Sequence, residues 1–176
     1  ASTGIDAMVH AIEAFTSINS NNNPVSKMLS IEALKLLGSS IKTAVFDGHN
    51  INARSNMLLG SMLAGKAFAN SPVAAVHALA YPIGGLFNIS HGLSNSLVLT
   101  SVMKFNSKNE ETKKNYAHLA PYVFKNLDYS KNDEFLCNNF IDGLERLCKE
   151  LKLPYRLRDL EIPEEACKLM ASEAMK

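Results

Sequence analysis

Residues 77–91 read HALAYPIGGLFNISH, and this stretch decides the fold: two histidines stand fourteen positions apart with a proline and a glycine pair between them. In one unbroken helix, a rise of about 1.5 Å per residue would separate His77 from His91 by roughly 21 Å, too far to share an ion. Pro82 lacks the amide that a helix interior needs, and Gly84-Gly85 makes helix costly while permitting positive φ. The chain is therefore expected to turn back between Pro82 and Gly85, returning His91 to His77. Upstream, Thr3-Gly-Ile-Asp6-Ala-Met-Val-His10 offers a carboxylate and an imidazole at i and i+4, one above the other on a helical face. Asp6, His10, His77 and His91 are together four candidate metal ligands.

A chain of 176 residues that is 47% hydrophobic is long enough to bury a core and short enough to form one domain, residues 1–176. Its net charge of +1, with Lys and Arg spread among Asp and Glu, lacks the footprint that nucleic acid or an anionic membrane would demand. A small neutral molecule is the expected partner. The apolar run Met57–Ala69 is broken by Gly60, Ser61, Gly65 and Lys66, and no charged n-region precedes an apolar h-region, so neither a membrane span nor a signal peptide is expected. Cys137, Cys148 and Cys167 are odd in number and lack CxxC spacing, which argues against disulfides and thiolate metal sites and for a reducing cytoplasm. The opening Ala-Ser-Thr-Gly suggests a piece of a longer protein.

Helical periodicity runs through the chain. Ile5, Met8, Val9, Ile12 and Phe15 form one stripe of a helix from Asp6 to about Thr16, with Ser2 or Thr3 as its cap, while Asp6, His10 and Glu13 share another stripe. Pro24 is expected to begin a helix that Gly38 stops, followed by a shorter one from Ser40 to Phe46 and a long interior one from Ile51 to Ala69. Val73–Ala80 carries His77, a loop reaches Gly92, and Leu93–Phe105 is apolar helix. Lys108–Lys114 reads as a solvated charge cluster before a helix near Tyr116–Lys125. Ser130 is the expected cap of a helix from Asp133 to Leu151 with Phe135, Phe140, Ile141, Leu144 and Leu147 inward, and a last helix begins at Pro163. No stretch reads as strand, so the fold class is all-α, a bundle-like helical domain.

Three neutral nitrogens and one anionic oxygen would leave a divalent ion with net charge +1 and room for an outside oxygen, the setting of a Lewis acid. The donor set suits Fe2+ or Zn2+ without deciding between them. Each ligand also has an ordinary explanation: Asp6 near a helix start favours the dipole, and an Asp/His pair at i, i+4 arises often by chance. It is the combination that carries weight. His49, in an Asp-Gly turn, and His118, in a charged helix, read as surface. Other catalytic patterns fail. Ala14 follows Glu13 in His10-Ala-Ile-Glu13, so the second histidine of a zinc protease is missing, and there is no GxSxG, P-loop or GxGxxG.

TGIDAMVHAIEAFTS together with AFANSPVAAVHALAYPIGGLFNISHGLSNSLVL resembles the helical, metal-binding C-terminal half of the two-domain iron-dependent alcohol dehydrogenases. The resemblance is clear over residues 1–107 and looser beyond. It puts the family's one aspartate and three histidines on Asp6, His10, His77 and His91. It implies NAD(P)-linked oxidation of an alcohol or reduction of an aldehyde or ketone, with Fe2+ or Zn2+ as the metal and a homo-oligomer as the full-length form. Where many relatives carry a second histidine, four residues after the third ligand, this chain has Tyr81. Tyr81 is the candidate catalytic residue, orienting substrate, because a phenol of reference pKa near 10 carries protons less readily at pH 7 than imidazole. Phe68, nine residues before His77, is the candidate pocket wall. The family's nucleotide-binding domain has no counterpart here, so NAD(P) is expected to bind through a domain absent from this chain. The alternative is a non-catalytic helical module that binds metal or a partner.

Overall fold

Helix α1 (Ser2–Thr16) is the axis of the computed structural model, which describes residues 1–175. Its apolar stripe Ile5, Met8, Val9, Ile12 and Phe15 is buried as expected, but Ala7, Ala11 and Ala14 are buried too, so the helix is covered on nearly every side. It lies against α2 (Pro24–Phe46), α3 (Ile51–Asn70), α5 (His91–Asn106) and α6 (Glu110–Val123). Ser2 and Thr3 do not cap it. Both lie within the first turn, and Ala1 occupies the cap position without a side-chain bond.

Pro24 does start α2, where Asn23 accepts from the amides of Val25 (2.9 Å) and Ser26 (3.0 Å) while Ser26 answers the Asn23 amide. The expected stop at Gly38 is absent and one 23-residue helix replaces the two expected. Gly38 serves a helix crossing: a Cβ there would stand 3.0 Å from Cα of Val123 in α6. After a turn at residues 47–50, α3 runs back along α2 and α1, burying its small-residue face of Ala53, Gly60, Ala64 and Ala67. It is not an interior helix, because Leu58 is 76% exposed and Met62 47%.

The largest departure concerns the deciding stretch. α4 (Ala75–Phe87) runs unbroken through Pro82, Gly84 and Gly85. Proline removes a single ladder bond, and burial of Val76, Ala80, Pro82 and Ile83 along the same helix outweighs it. The reversal comes three residues later than expected. Asn88 takes the left-handed conformation (φ 54°) that ends helices at residues able to adopt it, and α5 begins directly at His91 instead of Leu93.

α6 starts within the presumed charge cluster, with Asn109 capping Thr112 (3.0 Å) and Glu110 and Glu111 in the first turn, where the helix dipole favours acids. α7 (Asp133–Glu150) is capped by Asn132, not Ser130, through the Phe135 amide (2.9 Å). Phe140, Ile141, Leu144 and Leu147 point inward, whereas Phe135 is 40% exposed. Residues 157–160 form an unforeseen 3-10 turn, and α8 (Ala166–Glu173) begins after Pro163, which sits in the preceding turn. Ile162 and Met170 join Ile83 and Leu97 in a second small core beside the main one. The fold is all-α, with no strand among the described residues, and no helix there is long and apolar enough to cross a membrane. The cysteines are free thiols, and burial pushes those of Cys137 and Cys148 up to about 11.

Two glycines should respond oppositely to one methyl group. A Cβ at Gly92 would meet the Ser2 carbonyl oxygen at 2.7 Å and its carbon at 2.8 Å, backbone that cannot step aside, whereas at Gly85 it would meet nothing within 4 Å. Gly92→Ala should cost about 1–3 kcal/mol by overpacking, and Gly85→Ala should gain up to about 1 kcal/mol from helix propensity. Thermal unfolding followed by circular dichroism reads both, and equal melting temperatures for the two variants would contradict the close approach of α5 to α1.

Candidate metal centre

Three helices bring the four expected ligands together. Asp6 and His10 stand one turn apart on α1, His77 is in the first turn of α4, and His91 is the first residue of α5. The reversal at Asn88 folds α5 beside α4, so the His77 and His91 rings lie 5.3 Å apart, and His10 lies 4.4 Å from His77. One possible ligand atom from each of the four residues falls within 4.8 Å of the others. Asp6 Oδ1 is 3.7 Å from His77 Nε2 and 3.6 Å from His91 Nε2, and Asp6 Oδ2 is 4.0 Å from His10 Nδ1. These separations are too long for hydrogen bonds. They are close to the edge of a tetrahedron of ligands at about 2.0–2.1 Å from a metal, roughly 3.4 Å.

His77 supplies the observation that tests the fit. The residue is 1% exposed, yet Nε2, which faces Asp6, has no hydrogen-bond partner. A buried polar atom without a partner is costly. A divalent cation would satisfy it, and three imidazoles with one carboxylate suit Fe2+ or Zn2+. The other ring nitrogen is held: His77 Nδ1 lies 2.6 Å from Oε2 of Glu13. Asn95 donates to Asp6 Oδ1 at 2.5 Å, and the same amide nitrogen is 3.2 Å from His91 Nε2.

Comparison with known proteins gives the family. The family model described as "Fe-containing alcohol dehydrogenase family, C-terminal" matches residues 1–176. The chain belongs to this family. It is 35% identical over 176 residues to the 1,3-propanediol dehydrogenase of Citrobacter freundii, covering 100% of this chain and 44% of that protein. It is 38% identical over 177 residues to long-chain-alcohol dehydrogenase 1 of Geobacillus thermodenitrificans, covering 99% and 43%. A crystal structure of 1,3-propanediol oxidoreductase superposes with a TM-score of 0.93 at 32% identity over 99% of this chain and 44% of that one. The chain thus spans less than half the length of the relatives it matches and corresponds to the family's C-terminal domain.

The two aromatic residues singled out from sequence border the cluster. Phe68 stacks on His10 with centroids 4.6 Å apart, and Tyr81 stacks on His91 at 5.8 Å. Neither is core, since Tyr81 is 61% exposed and Phe68 37%. The cluster is buried at His77 and open at His91, whose side chain is 46% exposed. His49 and His118 are exposed and far from this role, as expected. Glu13 and Asn95 were not read as part of the site. For Glu13 a signal existed: a carboxylate on α1 with Ile12 and Ala14 beside it in an otherwise apolar run. Asn95 carried none beyond its place one turn after His91.

Burial lowers the His10 imidazole below its ordinary 6.5, and the neighbouring His77 and His91 act in the same direction against the opposing pull of Asp6. A histidine whose folded value lies below its unfolded one binds fewer protons folded than unfolded, so stability is lost as pH falls below 6.5 toward the folded value. Proton NMR titration of the metal-free protein should place the His10 midpoint below 6.5. A midpoint above it would mean that Asp6 outweighs burial.

Proposed function

We propose that these residues form the catalytic metal-binding domain of an alcohol dehydrogenase that transfers hydride between an alcohol and NAD(P), producing an aldehyde or ketone. Family membership supports the reaction class. The observation that carries the reading is the convergence of Asp6, His10, His77 and His91 around the unpartnered, buried His77 Nε2. In this reading the domain comprises residues 1–176, and the nicotinamide cofactor is held by a nucleotide-binding domain outside them. The parent enzyme is cytoplasmic and homo-oligomeric, with a small alcohol or aldehyde as substrate.

Fe2+ or Zn2+, when bound by the four residues, supplies Lewis acidity toward a substrate oxygen. The remaining work belongs to side chains of this chain. Asp6 contributes the negative charge that balances half of a dication, and the three imidazoles bind as neutral donors. Burial around His77 keeps water from the inner side of the cluster. Phe68 and Tyr81, stacked on His10 and His91, wall the approach so that a short alcohol lies between aromatic faces with its hydroxyl toward the ligands. The Tyr81 phenol donates a hydrogen bond that orients that substrate.

His91→Ala in the full-length protein should remove the metal, measured by elemental analysis, and lower NAD(P)-linked alcohol oxidation more than about 100-fold, beyond the loss typical of a residue behind the ligands. Helix content by circular dichroism should stay unchanged. In the unmutated protein, metal affinity should weaken as pH falls through about 6, because each imidazole must be neutral to bind. Full activity in the variant would favour a non-catalytic module, and metal retention flat from pH 8 to 5 would count against histidine ligands.

A further inference from the structure

Glu13 lies one turn beyond His10 on α1 and is 5% exposed. Three N–H groups converge on its carboxylate. Oε1 accepts from the Val76 amide at 2.7 Å, while Oε2 accepts from the Ala74 amide at 3.0 Å and faces His77 Nδ1 at 2.6 Å. Ala74 and Val76 are the cap and second residues of α4, a helix with no side-chain cap of its own. Glu13 therefore caps α4 from another helix and grips the ring of its first-turn histidine with the same group. Beside it, Ser71 Oγ donates to the Ala14 carbonyl at 2.7 Å, a buried bond that fastens the lead-in to α4 onto α1.

We propose that Glu13 is a positioning residue that locks His77 in the Nδ1–H tautomer, so that the Nε2 lone pair is presented to a divalent cation at Asp6, His10 and His91. This rests on the metal reading above. A carboxylate that already receives two amide protons has nothing to donate, so the proton on the short bond to His77 belongs to Nδ1. The ring nitrogen left without a proton is Nε2, the atom with no partner and 3.7 Å from Asp6 Oδ1. Only an acceptor on both oxygens suits the position. A glutamine would turn its NH2 either against the Val76 amide, losing a cap bond, or toward Ala74 and His77. In the second orientation it would donate to Nδ1 and drive the ring proton onto Nε2, where it blocks ligation.

The test uses the full-length protein in three forms: unmutated, Glu13→Gln and Ser71→Ala. Nitrogen-15 histidine NMR of the metal-free protein should show His77 protonated at Nδ1 and bare at Nε2, and Glu13→Gln should shift the ring toward the Nε2–H form. Chelator competition with Zn2+ should give about a 10–100-fold weaker Kd for Glu13→Gln. Ser71→Ala, which loosens the same segment without touching the ring, should lower the melting temperature but leave tautomer and Kd unchanged. An Nε2–H tautomer in the unmutated protein would overturn the proposal even if Glu13→Gln does not fold. So would equal losses of affinity in Glu13→Gln and Ser71→Ala, which would reduce Glu13 to docking. If the unmutated protein shows the Nδ1–H tautomer but binds no Zn2+, the metal reading fails and the tautomer lock stands alone.

Discussion

Helix α1 is covered on nearly every side, and the three polar side chains of its stretch from Ile5 to Phe15 find their partners within the protein. Asp6, His10 and Glu13 follow one another by a turn each along a helix whose other residues from Ile5 to Phe15 are all buried. Polar groups taken from water cost free energy unless they are paired. The partners come from α4 and α5: two amides and a ring nitrogen for Glu13, an asparagine for Asp6, and imidazoles set around a common point. The site is thus the solution to burying α1. The placement of α4 and α5 follows from it, because both helices aim their N-terminal turns at α1, one through the Glu13 cap and the other through the close approach of Gly92 to the Ser2 backbone.

Much of this was legible from sequence, and the part that was not has a common cause. The four converging residues could be picked out because the i, i+4 pair on α1 and the paired histidines around a chain reversal follow from local spacing. All-α architecture followed from periodicity. Misread were the places where proline or glycine serves a tertiary purpose. Gly38 looks like a stop and is a crossing point against Val123, and Pro82 with Gly84 looks like a turn and lies within α4. Propensity speaks for a residue in isolation, and packing of the whole helix overrode it. The actual reversal rests on a single asparagine, whose ability to adopt positive φ is shared by many asparagines that do not use it. Glu13 sat in plain view on the polar stripe, but its role depends on α4 arriving from sixty residues away, which no local pattern reports.

The four candidate ligands differ in how firmly each is held, and the differences follow the exposure of the site. His77 is fixed at Nδ1 by a carboxylate and enclosed by protein, and Asp6 is held by Asn95. His10 is steadied by the face of Phe68. His91 has the loosest surroundings, at the mouth, where its orientation depends on starting a helix whose next residue must be glycine to lie against α1. Rigidity toward the inner side and openness toward the outer side is the arrangement expected where a small molecule must reach a fixed point.

In the proposed metal reading, charge explains why the group behind His77 is a carboxylate rather than a backbone carbonyl. The four inward-facing residues carry one negative charge with neutral imidazoles, so a dication among them would leave an excess of +1 in a partly buried place. Glu13, touching the far edge of the His77 ring at 2.6 Å, brings the total to zero. Its influence passes through the ring, raising the electron density available at Nε2. The two carboxylates flanking His77 are accordingly unequal: the one at 2.6 Å accepts a hydrogen bond from the ring, and the one at 3.7 Å stands across a gap wide enough for an ion. A second hydrogen bond, donated by a protonated Nε2 to Asp6, would have closed that gap and satisfied the ring completely. Leaving it open costs stability in the metal-free chain, and in the proposed reading a cation in place of the missing proton would recover that cost.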